Sequence, residues 1–297
     1  MAALPQQQQQ EHCDTPRTVQ QVSAQVAATL KQHCIPDSNL EAEVLVRHSL
    51  NWNRAQFYAS LNESLKPSTV DRVQAITNRR LSGEPLAYIT GHREFYGLEL
   101  SVNSAVLIPR QETELIVAAA LDYTSALHTE PITIADVGTG SGAIAMALAA
   151  NLPNAQVFGI DLSSDALTVA KHNRRKHKLV DRVCLLQGDL LTPLQHSVDI
   201  VVSNPPYIAS DLIARLSPEV RHEPRRALDG GKDGMEVIRQ LLRQAPSKVN
   251  AGGCALIEIS PEQSDTARKT AREQFPRADI YVLNDLLGLP RCLVVRT

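Results

Sequence analysis

Between residues 19 and 81 the apolar positions recur three and four apart, the spacing of helices that each bury one stripe. Val22, Val26, Ala27 and Leu30 form one stripe, and Leu40, Val44, Leu45 and Leu50 form another. Ser38, three residues ahead of Glu41, predicts a capping box opening that second helix. Residues 69–81 predict a further helix, stopped by Gly83 and Pro85. From residue 92 to 109 the pattern changes. Phe95, Tyr96, Leu98, Leu100, Val102, Val106 and Ile108 lie in short extended runs, with Asn103 and Ser104 as the expected turn of a hairpin between two domains. Residues 112–127 again have helical composition.

After Pro131 apolar runs at 132–137, 156–160, 182–186, 198–202, 254–259, 280–283 and 292–295 alternate with helical stretches at 143–150, 164–175, 235–245 and 263–273. Such alternation predicts a mostly parallel sheet covered on both faces. About eight residues separate the last two runs, too few for a helical crossover, so that pair is expected to be antiparallel. The fold class expected is α/β: a seven-stranded, mostly parallel sheet with a small N-terminal all-α domain joined to it by a β-hairpin. The expected boundaries are a disordered tail over 1–18, a helical domain over 19–86, a linker and hairpin over 87–110, and the α/β domain over 111–297.

Composition narrows the class. In 297 residues, 43% apolar and 21% charged, there is material for a real core, and neither a disordered nor a collagen-like chain fits. No apolar run approaches the roughly 18 residues of a membrane span. Thirty basic and 32 acidic residues give a net charge of −2, so no global positive field draws nucleic acid. Cys13, Cys34, Cys184, Cys254 and Cys292 are odd in number, scattered and free of CxxC pairs, which fits a reducing compartment. The polar run Gln6 to Gln10 lacks the apolar centre of a secretory leader. A cytoplasmic location is the expectation.

Two segments carry chemistry. Gly138-Thr139-Gly140-Ser141-Gly142 follows the first strand of the α/β part and opens a helix. Glycines there permit a sharp turn and close approach of a ligand to the main chain. Asp161 ends the next strand, 19 residues after Gly142, at the distance where a carboxylate accepts from both ribose hydroxyls of an adenine nucleoside. Gly138, Gly140 and Ala143 also satisfy a dinucleotide fingerprint, so an NAD-linked enzyme stays open at this point.

The run 198–202 leads directly into Ser203-Asn204-Pro205-Pro206-Tyr207. In open α/β sheets ligands bind beyond such strand ends, where the strand order reverses. Two successive prolines fix φ and remove two donors. What remains is a stiff rim of acceptors, the Asn204 side-chain oxygen and the Pro205 carbonyl, suited to the two protons of a substrate NH₂. Tyr207 can offer a flat wall to a planar group. Asn204, Pro205 and Tyr207 are therefore the candidate catalytic residues.

The glycine loop with Asn-Pro-Pro-Tyr resembles the class I S-adenosylmethionine-dependent methyltransferases that modify planar NH₂ groups. Further segments sharpen the likeness: Gly83-Glu84-Pro85-Leu86-Ala87-Tyr88-Ile89, Glu94-Phe95-Tyr96-Gly97-Leu98, Leu107-Ile108-Pro109-Arg110, Glu112-Thr113-Glu114 and Arg226-Ala227-Leu228-Asp229-Gly230-Gly231. Together they resemble the HemK-type peptide chain release factor glutamine methyltransferases from about residue 19 to the C-terminus. The resemblance implies a Rossmann-like methyltransferase sheet and methyl transfer from S-adenosylmethionine to a glutamine side-chain amide. It implies cofactor contacts at Gly138, Thr139, Gly140, Ser141, Gly142, Asp161, Leu162, Asp189, Leu190 and Asn204. It implies substrate contacts at Asn204, Pro205, Pro206 and Tyr207, with Arg110 and Glu112 shaping the substrate mouth; a domain-joining ion pair is the other reading of those two. The implied partner is a release factor bearing Gly-Gly-Gln, gripped by the helical domain, with a monomeric enzyme, no membrane and no stable nucleic-acid complex. No metal is expected, since His92 and His222 lack companions at ligand spacing.

The chain departs from the family at three places. Gln111 stands where Pro is usual, Ser260 where Gly is usual, and Leu190 where an aromatic often follows the acid Asp189. Aliphatic contact from Leu190 is expected to replace stacking on the adenine. Glutamine methylation of a ribosomal protein shares most of these motifs; DNA adenine methylation shares the tetrad, but this chain has no basic recognition domain and its net charge is negative. An oxidoreductase leaves the tetrad unexplained. The basic residues Lys171, Arg174, Arg175, Lys176 and Lys178 read as a solvated helix end that complements the dipole, and residues 208–234 as an active-site flap.

Overall fold

The computed structural model describes residues 17–125 and 131–297. The glutamine run, Cys13 and most of the expected tail lie outside the described residues. Two compact units divide between Thr90 and Gly91.

The first unit holds α1 (Val19–Gln32), α2 (Ser38–Leu50), α3 (Arg54–Ala59), α4 (Pro67–Leu81) and α5 (Leu86–Thr90). Val22, Val26 and Leu30 from α1 meet Leu45 and Val46 from α2, Phe57 from α3 and Val73 from α4 in one apolar cluster. Thr18 caps α1, its side chain accepting from Gln21 N while Gln21 reaches back to the Thr18 N–H. Leu65 N donates to the Arg17 carbonyl, so Arg17 and Thr18 belong with the fold and not with a tail. The capping box expected at Ser38 does not form. Asp37, in the left-handed region at φ 50°, precedes the helix without a side-chain cap. Glu41 instead accepts both arms of Arg80 from α4, at 2.6 and 3.0 Å. Arg80 is fully buried, and a buried guanidinium needs that bidentate partner more than a helix end needs a cap.

The second unit begins with β1 (His92–Phe95) and β2 (Leu98–Ser101), an antiparallel hairpin. Its turn is Tyr96-Gly97, both at positive φ, and not the expected Asn103-Ser104. Tyr96 tolerates φ 50° because its N–H donates to Glu114 at 2.9 Å, a contact no local pattern announces. After a 3₁₀ turn (Gln111–Thr113) come α6 (Glu114–Thr124), β3 (Thr133–Val137), α7 (Ala143–Asn151), β4 (Gln156–Asp161), α8 (Ser164–Lys176), β5 (Val183–Gln187) and β6 (Val198–Ser203). Then follow α9 (Pro218–Arg221), α10 (Glu236–Gln244), β7 (Val249–Glu258), α11 (Ser264–Gln274), β8 (Asp279–Asn284) and β9 (Pro290–Arg296).

Among the described residues seven strands form one sheet in the order β5-β4-β3-β6-β7-β9-β8. All pairings are parallel except those of β9, which runs antiparallel to both β7 and β8. The expected α/β class and its single reversed strand hold, and β3 and β6, which carry the glycine loop and the Asn-Pro-Pro-Tyr segment, are neighbours. Side chains alternate between two layers, as a doubly covered sheet requires. Ile134, Ile200 and Leu256 pack with α6 and α7 on one face, while Ala135, Val201 and Ile257 pack with α10 and α11 on the other. Part of the basic helix end is not merely solvated: Lys176 pairs with Glu99 of β2 at 2.7 Å, and Arg174 donates to the Val183 carbonyl.

Candidate active site

Chain order reverses at β3: β4 and β5 lie to one side, β6 and β7 to the other. A crevice opens beyond the carboxyl ends of strands at such a point, and a cavity of about 950 Å³ occupies it. Gly138, Thr139, Gly140, Ser141, Asp161 and Leu162 line one part, and Asp189, Leu190, Asn204 and Pro206 line another. Gly142, Pro205, Tyr207, Arg110 and Glu112 lie outside the lining. Leu190 sits at φ 50°, half-buried against the core.

The glycine loop takes its shape from positive φ: 73° at Gly138, 55° at Gly140 and 83° at Gly142. A Cβ at Gly142 would meet Met146 Cε at 2.9 Å, and one at Gly138 would project toward the Asn204 carbonyl, 3.9 Å away. The space between loop and tetrad is thus a cradle that any side chain at Gly138 would fill. Asp161 braces the loop, accepting from Gly140 N and Ser163 N, each at 2.8 Å. A carboxylate has about four acceptor positions, more than these backbone donors fill, so capacity remains for a ligand hydroxyl. Burial pushes the Asp161 carboxyl up, opposed by the backbone donors Ser163, Gly140 and Leu162 and by the charge of Arg226.

Asp136 lies beneath the loop and was not singled out by the sequence. Its Oδ2 accepts from Thr139 Oγ1 at 2.6 Å and Ala145 N at 3.0 Å, while Oδ1 is buried without a partner. Burial raises its pKa from 3.8 to about 7, against the pull of Thr139 and Ala145. The folded state therefore holds a proton that the unfolded chain has already released. Stability contributed by Asp136 is full below pH 4 and is lost as pH rises through about 7. Denaturant unfolding of wild type and Asp136→Asn at pH 5 and 8 should show wild type losing stability relative to the variant at the higher pH. A pH-independent difference between the two would contradict this.

The tetrad is held from two sides. Asn204 Nδ2 donates to Thr113 Oγ1 at 2.9 Å, and Thr113 Oγ1 donates to Glu258 Oε2 at 2.7 Å. The Tyr207 hydroxyl donates to Glu258 Oε1 at 3.2 Å, so its phenol faces β7. On the backbone side, Gln263 Nε2 donates to the Tyr207 and Gly234 carbonyls at 2.9 and 3.1 Å. Ser260, the residue that departs from the family pattern, forms a capping box with Gln263 and so fixes that clamp. Among the described residues no hydrogen bond reaches the Pro205 carbonyl.

Residues 208–234 form a wall stitched at its base: Ile208 N donates to Leu228 O, Gly230 N to Ile208 O and Ser210 N to Gly231 O. Buried Glu223 accepts from Ile108 N at 3.0 Å and pairs with Arg110. Both members of that pair lie in the second unit, so Arg110 ties the wall to the chain after the hairpin and joins no two domains. Glu112 is exposed.

The chain is similar to known proteins over most of its length. Residues 21–91 match the family described as PrmC N-terminal domain, and residues 119–228 match the methyltransferase small domain. The release factor glutamine methyltransferase of Moorella thermoacetica is 42% identical over 278 residues, covering 93% of this chain and 98% of that protein. The chain belongs to the release factor glutamine methyltransferase family. The member from Rhodopirellula baltica is 37% identical over 94% of this chain and 96% of its own length. In fold alone, the hMettl16 catalytic domain, solved with the MAT2A 3′UTR hairpin 6, aligns with a TM-score of 0.53 at 15% identity, over 78% of this chain and 82% of that one.

Within that family frame, four residues of the site were given no role by the sequence, Thr113 among them although it stands in the Glu112-Thr113-Glu114 segment. Thr113, Glu223, Glu258 and Gln263 act over long separations in the chain. A charged residue inside the apolar run 254–259, just before the Ser260 departure, was the visible hint of Glu258.

Proposed function

We propose that this chain methylates the side-chain amide nitrogen of the glutamine in the Gly-Gly-Gln motif of peptide chain release factors, with S-adenosylmethionine as donor. The observation that carries this reading is the Asn204-Pro205 rim beside the glycine loop, in a chain whose relatives bear that name. The glycine cradle and the remaining acceptor capacity of Asp161 fit an adenosyl cofactor. When bound, S-adenosylmethionine supplies an electrophilic methyl group. The protein's own work falls on the amide. An amide nitrogen is a poor nucleophile because its lone pair is delocalised into the carbonyl. Asn204 Oδ1 and the Pro205 carbonyl take its two protons, fix the direction of the lone pair, and favour positive charge growing on nitrogen. No strong base is needed first, since those protons become acidic once the new bond forms.

Leu40 and Tyr58, each 53% exposed on the helical unit, offer apolar contact to a protein substrate, and we assign that unit to substrate recognition. A substrate that acts in translation goes with a cytoplasmic location; no helix among the described residues is long and apolar enough to cross a membrane.

The test is transfer of label from S-adenosylmethionine to a release factor and to its Gln→Ala version. Label is expected on the first alone. Equal label on both, or label only on added ribosomal protein or DNA, would redirect the substrate. Asp161→Ala should raise the dissociation constant for the cofactor by about tenfold or more, with saturated turnover little changed. Unchanged affinity in a binding titration would move the ribose elsewhere.

A further inference from the structure

We propose that Glu258 and Thr113 are positioning residues that lock the Asn204 side chain with its oxygen toward the substrate, and that this lock sets the rate of methyl transfer. The inference rests on the role given to Asn204 above. An asparagine amide has two nearly isosteric ends, and only one of them can accept from a substrate NH₂. Something must choose between them.

The choice is made by a one-way chain of hydrogen bonds. An ionised carboxylate has no proton to give, so Glu258 Oε2 can only accept, and Thr113 Oγ1 donates to it at 2.7 Å. That uses the single proton of the hydroxyl. Thr113 can then only accept from Asn204, and Nδ2 fills that position at 2.9 Å. Rotating the amide would set Oδ1 against an oxygen with no proton left to share. Glu258 cannot swing to relieve this, because it is 1% exposed and its other oxygen accepts from the Tyr207 hydroxyl at 3.2 Å. Three separate segments meet here: the 3₁₀ turn before α6, the end of β7 and the loop after β6. Loss of any link leaves a buried polar group unpaired, which is costly in a dry interior.

Ionisation of Glu258 is part of the lock. Burial pushes its carboxyl up, with nearby Glu112 acting in the same direction and Thr113, Tyr207 and Arg291 acting against it; the Cys292 thiol also feels its charge. A protonated Glu258 gains a proton to donate. The chain then reverses through Thr113 and turns the Asn204 NH₂ toward a substrate that itself only donates. Turnover should therefore fall on the acid side as Glu258 takes up its proton.

Steady-state kinetics of the full chain with S-adenosylmethionine and a Gly-Gly-Gln release factor test this. Thr113→Ser keeps the hydroxyl and should keep kcat. Thr113→Val keeps the shape, loses the relay, and should lower kcat by about 10- to 100-fold with cofactor KM within about twofold. Glu258→Gln can present either end to Thr113, so its kcat should fall several-fold and lose the acid-side decline; it decides the matter if Thr113→Val does not fold. Wild-type kcat in Thr113→Val, equal damage from Thr113→Ser, or an intact acid limb in Glu258→Gln would overturn the lock. Absence of methylation by the wild type would instead overturn the functional reading, and this inference with it.

Discussion

Asn204→Ala is expected to lower kcat for glutamine methylation by about a hundredfold or more, the usual scale for losing one preorganised polar group at a reacting centre. Cofactor affinity should change little, because the glycine loop and Asp161 remain. Asn204 is half-buried at the end of β6, and its Nδ2 is already committed to Thr113. The oxygen is what remains for substrate, and alanine removes it along with the donor that Thr113 accepts. The second loss should appear as a modest drop in melting temperature, since an unpaired buried acceptor costs roughly 1–3 kcal/mol. A titration with S-adenosylmethionine beside single-turnover kinetics separates the two effects. Equal losses in affinity and rate would place Asn204 in cofactor binding and not in the handling of the amide.

Gly230→Ala should be the most damaging change that touches neither ligand. A Cβ there would lie 2.6 Å from the Gly234 carbonyl oxygen, 2.7 Å from the Pro206 carbonyl oxygen and 2.8 Å from Tyr207 Cα. All three are backbone atoms, so no rotamer change relieves the clash and the tetrad itself must move. Overpacking of this kind costs about 1–3 kcal/mol or more, a fall of roughly 2–12 °C in melting temperature for a domain of this size. Misplacing the reacting group by about 1 Å costs on the order of a hundredfold in rate. Gly252→Ala is the control. Its Cβ would meet nothing within 4 Å, yet φ is 74°, so it should lose about 1–2 kcal/mol from backbone strain and keep its activity. A Gly230→Ala protein with wild-type kcat would show that the wall and the tetrad are not packed as described.

What the sequence reveals of this molecule follows the range of the forces involved. The α/β alternation and the reversed β9 are legible because strand and helix periods are local and a short connection leaves no room for a helical crossover. The glycine loop and the tetrad are legible because each is contiguous and its chemistry requires those residues in that order. Most of the failures are long-range. Glu41 looked like a capping residue until Arg80, 39 residues away, took its carboxylate. The hairpin turn was misplaced because Glu114 supports a left-handed Tyr96 from 18 residues away. Six-residue α3 is too short to show a period. The buttress of Asn204 stayed hidden because Thr113 and Glu258 lie 145 residues apart, and only the folded sheet brings a threonine turn beside the end of β7.

The claim on which the mechanism depends is that the acceptors at the end of β6 hold the substrate amide. A crystal structure of the chain with the demethylated cofactor product and a Gly-Gly-Gln peptide tests it directly. The glutamine nitrogen is expected within hydrogen-bond reach of both Asn204 Oδ1 and the Pro205 carbonyl oxygen. A glutamine side chain bound elsewhere in the cavity, with those two oxygens facing water, would contradict it.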